Sequence, residues 1–273
     1  MWNIFVPMLA LSPCKVNIGL NLLEKRADGF HNLRSIFYPI PFGDLLEIEE
    51  SKEDKIYTYG RAIDGGVQDN LIWKLWIFLK KEYKLPSLSW HLYKNVPPKT
   101  GIGAGSANLA IALKLCNRYF SLGLSTKEQE EIALRFGSDT GFFVHNSPAL
   151  VEGRGDKIQA IDPFLKGSFM VLCKAPKLYM STAEAFANAS IGKHRYDFTK
   201  ALSSGDISEL KNDFELAFLK RFPEAQNVFS DLHASGAFYT SLSGSGSCIY
   251  GLFSSDPGSE KLESLPILWK GEL

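Results

Sequence analysis

Pro-Pro-Lys-Thr-Gly-Ile-Gly-Ala-Gly-Ser-Ala-Asn, residues 97–108, is the most informative stretch of this 273-residue chain. It joins a predicted strand at residues 88–96 to a predicted helix at residues 107–120. Glycines let a backbone approach a phosphate closely, and the N–H groups of a helix's first turn favour an anion. No Walker lysine follows the last glycine, and Ser106 stands where the dinucleotide fingerprint requires glycine. The strand–loop–helix setting favours phosphate binding over a plain tight turn.

A second glycine-rich loop, Ser-Gly-Ser-Gly-Ser at residues 243–247, separates predicted strands at residues 238–242 and 249–253. Alone, it is typical of a flexible hairpin. Two such loops in one chain are better explained together, as walls of one anion site.

The amino-terminal part reads as strands, and residues 14–23 alternate between apolar and polar side chains. We expect this strand to bury only its apolar face. The other face carries a lysine and two asparagines side by side, in the row Lys15, Asn17, Gly19, Asn21. Lys15 is either an ordinary lysine lying along a strand or part of a site.

Helix signals follow at several places. Asp69 or Asn70 can cap a helix over residues 69–83, and Ser125 with Glu128 forms a capping box. A second box, Ser181 with Glu184, opens a short helix. Further amphipathic helices are predicted at residues 206–222 and 223–234, with a buried strand at residues 168–173.

Two polar residues lie next to turns. Asp139, in Gly-Ser-Asp-Thr-Gly, is either a turn or capping residue or a general base presented from a loop. His31 follows Phe30 just after the Asp28-Gly29 turn signal. The two residues are either ordinary surface residues or a binding site for a planar base.

Composition sets wide limits on function. The chain has 30 Lys+Arg and 30 Asp+Glu, so its formal net charge is zero. This balance argues against a nucleic-acid binder that works by bulk charge. Mixed strands and helices in a hairpin-rich order indicate an α+β fold in two parts, with a boundary near residues 161–166.

Metal, disulfide and membrane classes are disfavoured. The four cysteines form no Cys-x-x-Cys pair, and the five histidines form no His-x-x-x-His pair. The apolar start, residues 1–11, lacks a basic region, and no later apolar run reaches about 18 residues. We therefore expect a cytoplasmic protein with no membrane partner. We also expect no nucleic-acid partner, and a monomer or weak homodimer.

Several motifs together resemble one enzyme family. Residues 12–20, Ser-Pro-Cys-Lys-Val-Asn-Ile-Gly-Leu, and 25–31, Lys-Arg-Ala-Asp-Gly-Phe-His, resemble the opening signature of the 4-diphosphocytidyl-2-C-methyl-D-erythritol kinases. These belong to the GHMP superfamily of galactokinase, homoserine, mevalonate and phosphomevalonate kinases. Residues 97–108 resemble the family's nucleotide loop, 137–139 its catalytic aspartate motif and 242–246 its third glycine motif. Arg-Ala-Asp-Gly-Phe-His is the specific segment, because the other kinases of the superfamily lack it.

The resemblance implies both fold and reaction. The fold would be a two-lobed α+β GHMP-kinase fold. Residues 1–161 would form an ATP-binding, ribosomal-protein-like βα lobe, and residues 162–273 a ferredoxin-like α/β-sandwich lobe. The reaction would phosphorylate the 2-hydroxyl of 4-diphosphocytidyl-2-C-methyl-D-erythritol with ATP and Mg²⁺, in the non-mevalonate isoprenoid route. No tightly bound cofactor is expected, and the metal ligands stay unassigned.

The same resemblance implies residue roles. Asp139 would take the hydroxyl proton, and Lys15 would stabilise charge on the phosphoryl group and the attacking oxygen. The implied ATP-binding residues are Pro97, Gly101, Ile102, Gly103, Ala104, Gly105, Ser106, Ala107, Asn108 and Asn70. The implied substrate-binding residues are Asn17, Phe30, His31, Thr182, Phe186, Gly244, Ser245 and Gly246.

The loop departs from the family pattern at four positions. Lys99, Thr100, Ala104 and Ala107 replace the usual Gly, Gly, Gly and Ser. The methyl group of Ala104 narrows backbone freedom, and Lys99 is either an extra cation for the phosphates or solvated.

Two other functions are weighed against this one. A kinase for homoserine or a mevalonate derivative is disfavoured because those substrates offer no base for Phe30, His31 and Phe186 to grip. A non-catalytic nucleotide- or RNA-binding module on the same scaffold is disfavoured by the pair Lys15 and Asp139, and the RNA version also by the neutral charge.

Overall fold

A computed structural model describes residues 8–63, 65–174, 178–192 and 195–273. The first seven residues of the apolar start lie outside this range. Among the described residues, no helix is long and apolar enough to cross a membrane.

Strands and helices follow one another in runs along the chain. The strands are β1 Met8–Lys25, β2 His31–Glu50, β3 Lys55–Gly60, β4 Leu88–Lys94, β5 Ala149–Gly153, β6 Lys157–Ala160, β7 Phe169–Lys174, β8 Tyr239–Leu242, β9 Cys248–Phe253 and β10 Ile267–Glu272. The α-helices are α1 Leu71–Tyr83, α2 Ala104–Tyr119, α3 Thr126–Ala133, α4 Thr140–His145, α5 Thr182–Asn188, α6 Phe198–Ser204, α7 Glu215–Arg221 and α8 Ala225–Ala234.

The chain forms two compact units built from interleaved segments. Unit 1 comprises the described residues of Met1–Cys14, Pro41–Pro98 and Gly103–Asn146. Unit 2 comprises the described residues of Lys15–Ile40, Lys99–Ile102 and Ser147–Leu273. The chain therefore passes between the units several times, and the single boundary predicted between residues 161 and 162 stays a prediction.

Unit 1 combines a mixed sheet with helices. The second half of β2 pairs antiparallel with β4, and β4 pairs parallel with β3. Helices α1–α4 pack on one another through α2 and α4. Trp76 of α1 and Trp90 of β4 are fully buried edge to face, with ring centroids 5.9 Å apart. The expected cap is confirmed, because the Asn70 side chain accepts a hydrogen bond from the Ile72 N–H at 2.9 Å.

Unit 2 contains an antiparallel sheet in the order β10-β7-β9-β8. Helix α8 lies against β8 and β9. Buried apolar side chains from this sheet, from α5, α7 and α8, and from Leu20 and Leu22 of β1 form one core cluster. The first half of β2 pairs with β5, which pairs with β6.

The expectation of a one-sided first strand was wrong. Every residue from 15 to 22 is buried, including Lys15, Asn17 and Asn21 on the polar face. The reason is long-range: groups from residues 35, 213, 244 and 250 bond to this strand and cover its polar face.

The predicted helix over residues 206–222 was also wrong in its first half. Helix α7 begins only at Glu215. Before it, the backbone runs beside β1: Leu20 N–H donates to Lys211 O at 2.9 Å, and Asp213 N–H donates to Leu20 O at 2.8 Å. The Asp213 side chain adds further bonds to β1, and the Asn212 side chain bonds the second glycine loop. Asn and Asp compete for backbone hydrogen bonds rather than favouring a helix interior.

Candidate active site

Lys15 is a buried cation in unit 2, with 5% of its surface exposed. Its ammonium donates to Asn17 Oδ1 at 2.6 Å and to Gly101 O at 3.3 Å. The Phe37 ring lies beneath it, with Nζ 4.6 Å from the centroid. The Lys15 main chain is also fixed, because its N–H donates to Ile102 O at 3.0 Å. A charge held this firmly among oxygens and a ring face is oriented before any ligand arrives.

Asn17 connects Lys15 to the rest of unit 2. Its amide nitrogen donates to Ser35 Oγ at 2.9 Å, while its amide oxygen accepts from the Gly244 N–H at 2.9 Å. Its main-chain oxygen accepts from Tyr250 Oη at 2.6 Å. Each polar group of this 1%-exposed side chain has a partner, so the amide oxygen that faces Lys15 cannot turn away without breaking several bonds.

The two glycine loops meet within unit 2, at Gly101 and Gly244. Gly101 has φ +73°, and a Cβ there would lie 2.1 Å from Ser243 O. Gly244 has φ +54°, and its Cβ would lie 2.8 Å from Gly101 O. Ser243 Oγ donates to Gly101 O at 3.1 Å. This contact confirms that the loops are neighbours. Anion binding by them, and by Ser245 and Gly246 of the second loop, stays a prediction.

Asn212 holds the second loop and was missed by the sequence analysis. Its buried amide nitrogen donates to Leu242 O at 2.7 Å and to Gly244 O at 2.9 Å. Its amide oxygen accepts from the Phe214 N–H at 2.9 Å. The signal was present: an Asn-Asp pair in the middle of a predicted helix is a poor helix interior.

The other half of the first loop opens helix α2 in unit 1. Gly103, at φ +74°, occupies the cap position, so Ala104, Gly105 and Ser106 form the first turn. This helix begins three residues earlier than predicted. The N–H groups of a first turn lack partners within their helix, and in this turn they lie where the sequence predicts phosphate.

Asp139 lies at the cap position of α4, but its side chain makes no capping hydrogen bond. Instead, Ser106 Oγ donates to Asp139 Oδ1 at 2.7 Å. The structure thus brings the predicted catalytic carboxylate to the first turn of α2, within unit 1. Lys15 belongs to the other compact unit.

Some predicted ATP contacts are buried in unit 1. Ala107 is fully buried, and Asn108 Nδ2 donates to Asp44 Oδ2 at 2.9 Å. Asp44 also pairs with Lys94 and accepts the Val96 N–H at 2.9 Å. The Asn108 side chain therefore anchors α2 to Asp44 of β2, which in turn holds the end of β4. Pro97 of unit 1 and Ile102 of unit 2 are also buried, so their side chains face the protein interior.

Asn70 borders a cavity of about 390 Å³ in unit 1. The cavity lies beside β3 and the start of α1, and its lining residues are Ile56, Thr58, Gly60, Arg61, Ala62, Ile63, Gly65, Gly66, Val67, Asp69 and Asn70. The Asn70 amide oxygen caps α1, so its position is fixed.

His31 and Phe186 are brought together in unit 2. Their rings stack with centroids 4.5 Å apart and an angle of 11° between planes. Burial, and secondarily the charge of Lys25, lowers the pKa of His31 below its ordinary value. Phe30 is 52% exposed, with the Arg154 guanidinium 4.9 Å from its ring centroid. Thr182 is the exposed first residue of α5, whose cap Ser181 accepts the Glu184 N–H at 3.1 Å.

Comparisons with known proteins agree on one family. Residues 70–147 match the model of the GHMP kinases N terminal domain, and residues 198–271 match GHMP kinases C terminal. A Bacteroides fragilis protein named 4-diphosphocytidyl-2-C-methyl-D-erythritol kinase is 38% identical over 94% of this chain and 96% of its own length. A protein of the same name from Bacteroides thetaiotaomicron is 40% identical over 90% and 92%.

A solved structure supports the fold. The crystal structure of a 4-(cytidine 5'-diphospho)-2C-methyl-D-erythritol kinase superposes with a TM-score of 0.80 at 24% identity, covering 97% of this chain and 98% of that one. The expected α+β GHMP-kinase fold is confirmed. On the strength of these relatives and both domain matches, the chain belongs to the 4-diphosphocytidyl-2-C-methyl-D-erythritol kinase family of GHMP kinases.

Proposed function

We propose that this chain transfers the γ-phosphoryl group of ATP to the 2-hydroxyl of 4-diphosphocytidyl-2-C-methyl-D-erythritol. The products are the 2-phosphate and ADP, in the methylerythritol phosphate route to isoprenoid precursors. Relatives at 38% and 40% identity carry this substrate in their names. The observation in the structure that carries the proposal is the buried Lys15 ammonium, fixed by Asn17 Oδ1 and by a carbonyl of the glycine loop.

Lys15 serves as the electrostatic group. Phosphoryl transfer spreads charge over the oxygens of the moving group, and the enzyme's task is to position that group and stabilise its charge. A buried ammonium does this more strongly than a solvated one, because the effective dielectric constant around it is lower. Asn17 orients the ammonium, and the Gly244 N–H held by Asn17 keeps the second glycine loop in place beside it.

Asp139 serves as the general base. In the free chain its Oδ1 accepts the Ser106 hydroxyl, and a carboxylate keeps further acceptor capacity for the substrate hydroxyl. The helix α2 first turn next to it supplies N–H groups for ATP phosphates.

ATP binds as its magnesium complex in this proposal. Among the described residues, no group of three or more His, Cys, Asp or Glu side chains could hold a metal ion. Mg²⁺ prefers oxygen ligands and usually keeps several waters. Ser106 and Asp139 offer a hydroxyl and a carboxylate together, so these residues fit a role as the protein's share of its ligands. The bound ion would neutralise charge on the ATP phosphates. The adenosine part occupies the cavity beside Asn70.

The cytidine part binds at the aromatic cluster of unit 2. Phe186 offers a ring face and Phe30 a mostly exposed ring, while His31 reads the base edge. Because burial lowers the pKa of His31, the imidazole is neutral at pH 7 and carries both a donor and an acceptor. His31 and Phe186 stack on each other in the free chain, so their contact opens when Phe186 takes the base. Thr182 completes the substrate set. The protein works in the cytoplasm as a monomer or weak homodimer.

The test is a coupled assay of ADP release with Mg-ATP. ADP should form with the cytidine substrate and not with homoserine or mevalonate, since only the first carries a base and a diphosphate. Calorimetry with CMP is the matching binding measurement and should show heat, because CMP carries the same cytosine base. Absence of phosphorylation of the cytidine substrate would overturn the proposal.

A further inference from the structure

Lys99 has a backbone conformation that costs free energy. It lies at φ +59°, in the left-handed region where a side chain with a Cβ is disfavoured and glycine is not. The conformation is fixed by neighbours in unit 2. Lys99 O accepts the Ser247 N–H and the Ser247 hydroxyl, both at 3.4 Å, and Thr100 O accepts the Cys248 N–H at 3.1 Å. A lysine at such a position suggests a use for its side chain.

The Lys99 ammonium is held close to the loop. Its Nζ lies 4.6 Å from the centroid of the Tyr179 ring, a cation–π distance. The ring is 42% exposed, so this contact is only partly desolvated. A charge-assisted hydrogen bond to phosphate is stronger than an exposed cation–π contact, so exchanging the ring face for a phosphate oxygen is favourable.

The position of Lys99 in the chain puts it within reach of the Lys15 ammonium. Lys99 and Gly101 are two residues apart, so their Cα atoms lie at most about 7–8 Å from each other. Gly101 O is the atom that accepts the Lys15 ammonium, and it also accepts Ser243 Oγ. A phosphate bound against this part of the loop therefore lies within reach of the flexible lysine stem.

We propose that Lys99 leaves the Tyr179 ring to bind a phosphoanhydride oxygen of a nucleotide at the glycine loop. It is a second phosphate-binding cation, beside Lys15, in place of one of the glycines usual for this loop. The inference rests on the proposed function and deepens it. The phosphoanhydride belongs either to ATP or to the cytidine diphosphate part of the substrate, and the two sources separate experimentally.

The test is calorimetric binding of MgADP and of CDP to the full chain and its variants. Lys99→Met keeps the stem and removes the charge, whereas Lys99→Arg keeps the charge. Lys84→Met is the matched control, because Lys84 is also an exposed lysine at left-handed φ, +53°, at the end of α1 and outside both glycine loops in the sequence. Thermal unfolding of each variant reports any change in the fold.

We expect Lys99→Met to lower the binding affinity for one of the two ligands about tenfold, in line with loss of a charge-assisted hydrogen bond. Weaker MgADP alone assigns Lys99 to ATP, and weaker CDP alone assigns it to the substrate. For Lys99→Arg, the dissociation constants should lie within about twofold of those of the original chain. For Lys84→Met, they should equal those of the original chain.

Unchanged binding of both ligands by Lys99→Met, in a chain that binds them, overturns the inference and leaves the proposed function standing. An equal loss in Lys84→Met also overturns it. An original chain that binds neither MgADP nor CDP overturns the proposed function together with the inference.

Discussion

The two charged groups proposed for the reaction are held in opposite ways. In unit 2, Lys15 is buried and fixed by a side-chain oxygen, a main-chain oxygen and an aromatic ring. In unit 1, Asp139 is half-buried, and among the described residues its side chain accepts one hydrogen bond, from Ser106. The difference fits their tasks: a stabilising charge gains from being immobile, whereas a base must keep an oxygen available for a proton.

Asp139→Asn is the strongest test of the lightly held side of this comparison. The amide has the same shape and can still accept from Ser106, but it cannot take a proton. We expect turnover to fall by about 10³–10⁴-fold, near the upper range for loss of a general base. ADP release measures the effect, and an unchanged unfolding midpoint shows that the fold survives. Normal turnover would remove Asp139 from the role.

Lys15→Met tests the rigidly held side. The variant keeps an unbranched stem over Phe37 and loses the charge, so we expect kcat to fall about 10²–10³-fold, as for loss of a preorganised electrostatic group. Steady-state kinetics with saturating ATP and substrate measures it. Asn17 Oδ1 keeps the Gly244 N–H as a partner, so the chain should remain folded. A rise in KM with unchanged kcat would contradict the role in the transition state.

Gly101→Ala tests the backbone contact between the two glycine loops, which positions the main-chain acceptor of Lys15. The new methyl group would lie 2.1 Å from Ser243 O, so the two loops must move apart and the acceptor of Lys15 is displaced. We expect the free energy of unfolding to fall by about 2–5 kcal/mol, the sum of left-handed strain and a clash with fixed backbone.

Gly123→Ala is the control for that variant. Gly123 has φ +70° with nothing within 4 Å of a Cβ, so it should lose only about 1–2 kcal/mol for the left-handed conformation. Denaturant unfolding compares the two variants. Equal losses would show that the loop contact is not tight.

The smallest effect concerns pH and His31. The pKa of His31 is lowered in the folded chain, mainly by burial, so between that pKa and the ordinary value near 6.5 the unfolded chain binds more protons. The free energy of unfolding therefore keeps its full value, as far as His31 is concerned, above about pH 6.5. It declines as the pH falls below that value, because protonation of His31 then favours the unfolded chain. Denaturation curves from pH 5 to 8 should show a shallower acid decline in His31→Gln. An identical decline would assign the loss to other groups.

The sequence predicted the parts of the site that depend on local chemistry. The capped helices, the Asp28-Gly29 turn and both glycine loops follow from residue types at fixed spacing. The polar row Lys15, Asn17, Asn21 was also visible. The burial of this row does not follow from the sequence, because alternation reveals two faces of a strand and not what covers the second one.

The helix prediction for the segment before α7 was wrong for a related reason. Its apolar spacing suits a helix, but Asn212 and Asp213 gain more from bonding β1 and the second loop than a helix interior would offer. Partners so far apart in sequence cannot be found by reading periodicity. The same limit applies to Asp44, whose carboxylate pairs with Lys94 and accepts hydrogen bonds from the Val96 N–H and the Asn108 side chain.

The hydrogen-bond partners of Asn17 are synthesised much later than Asn17 itself. Its side chain bonds Gly244, and its main-chain carbonyl bonds Tyr250, which is 233 residues further along the chain. At about 5–20 residues per second, a ribosome needs roughly 10–50 s to supply them. During that interval the strand that bears Lys15 has polar groups whose native partners do not yet exist. The surroundings of Lys15, the lysine proposed to act on the phosphoryl group, are therefore completed among the last parts of the protein, although Lys15 itself is among the first residues synthesised.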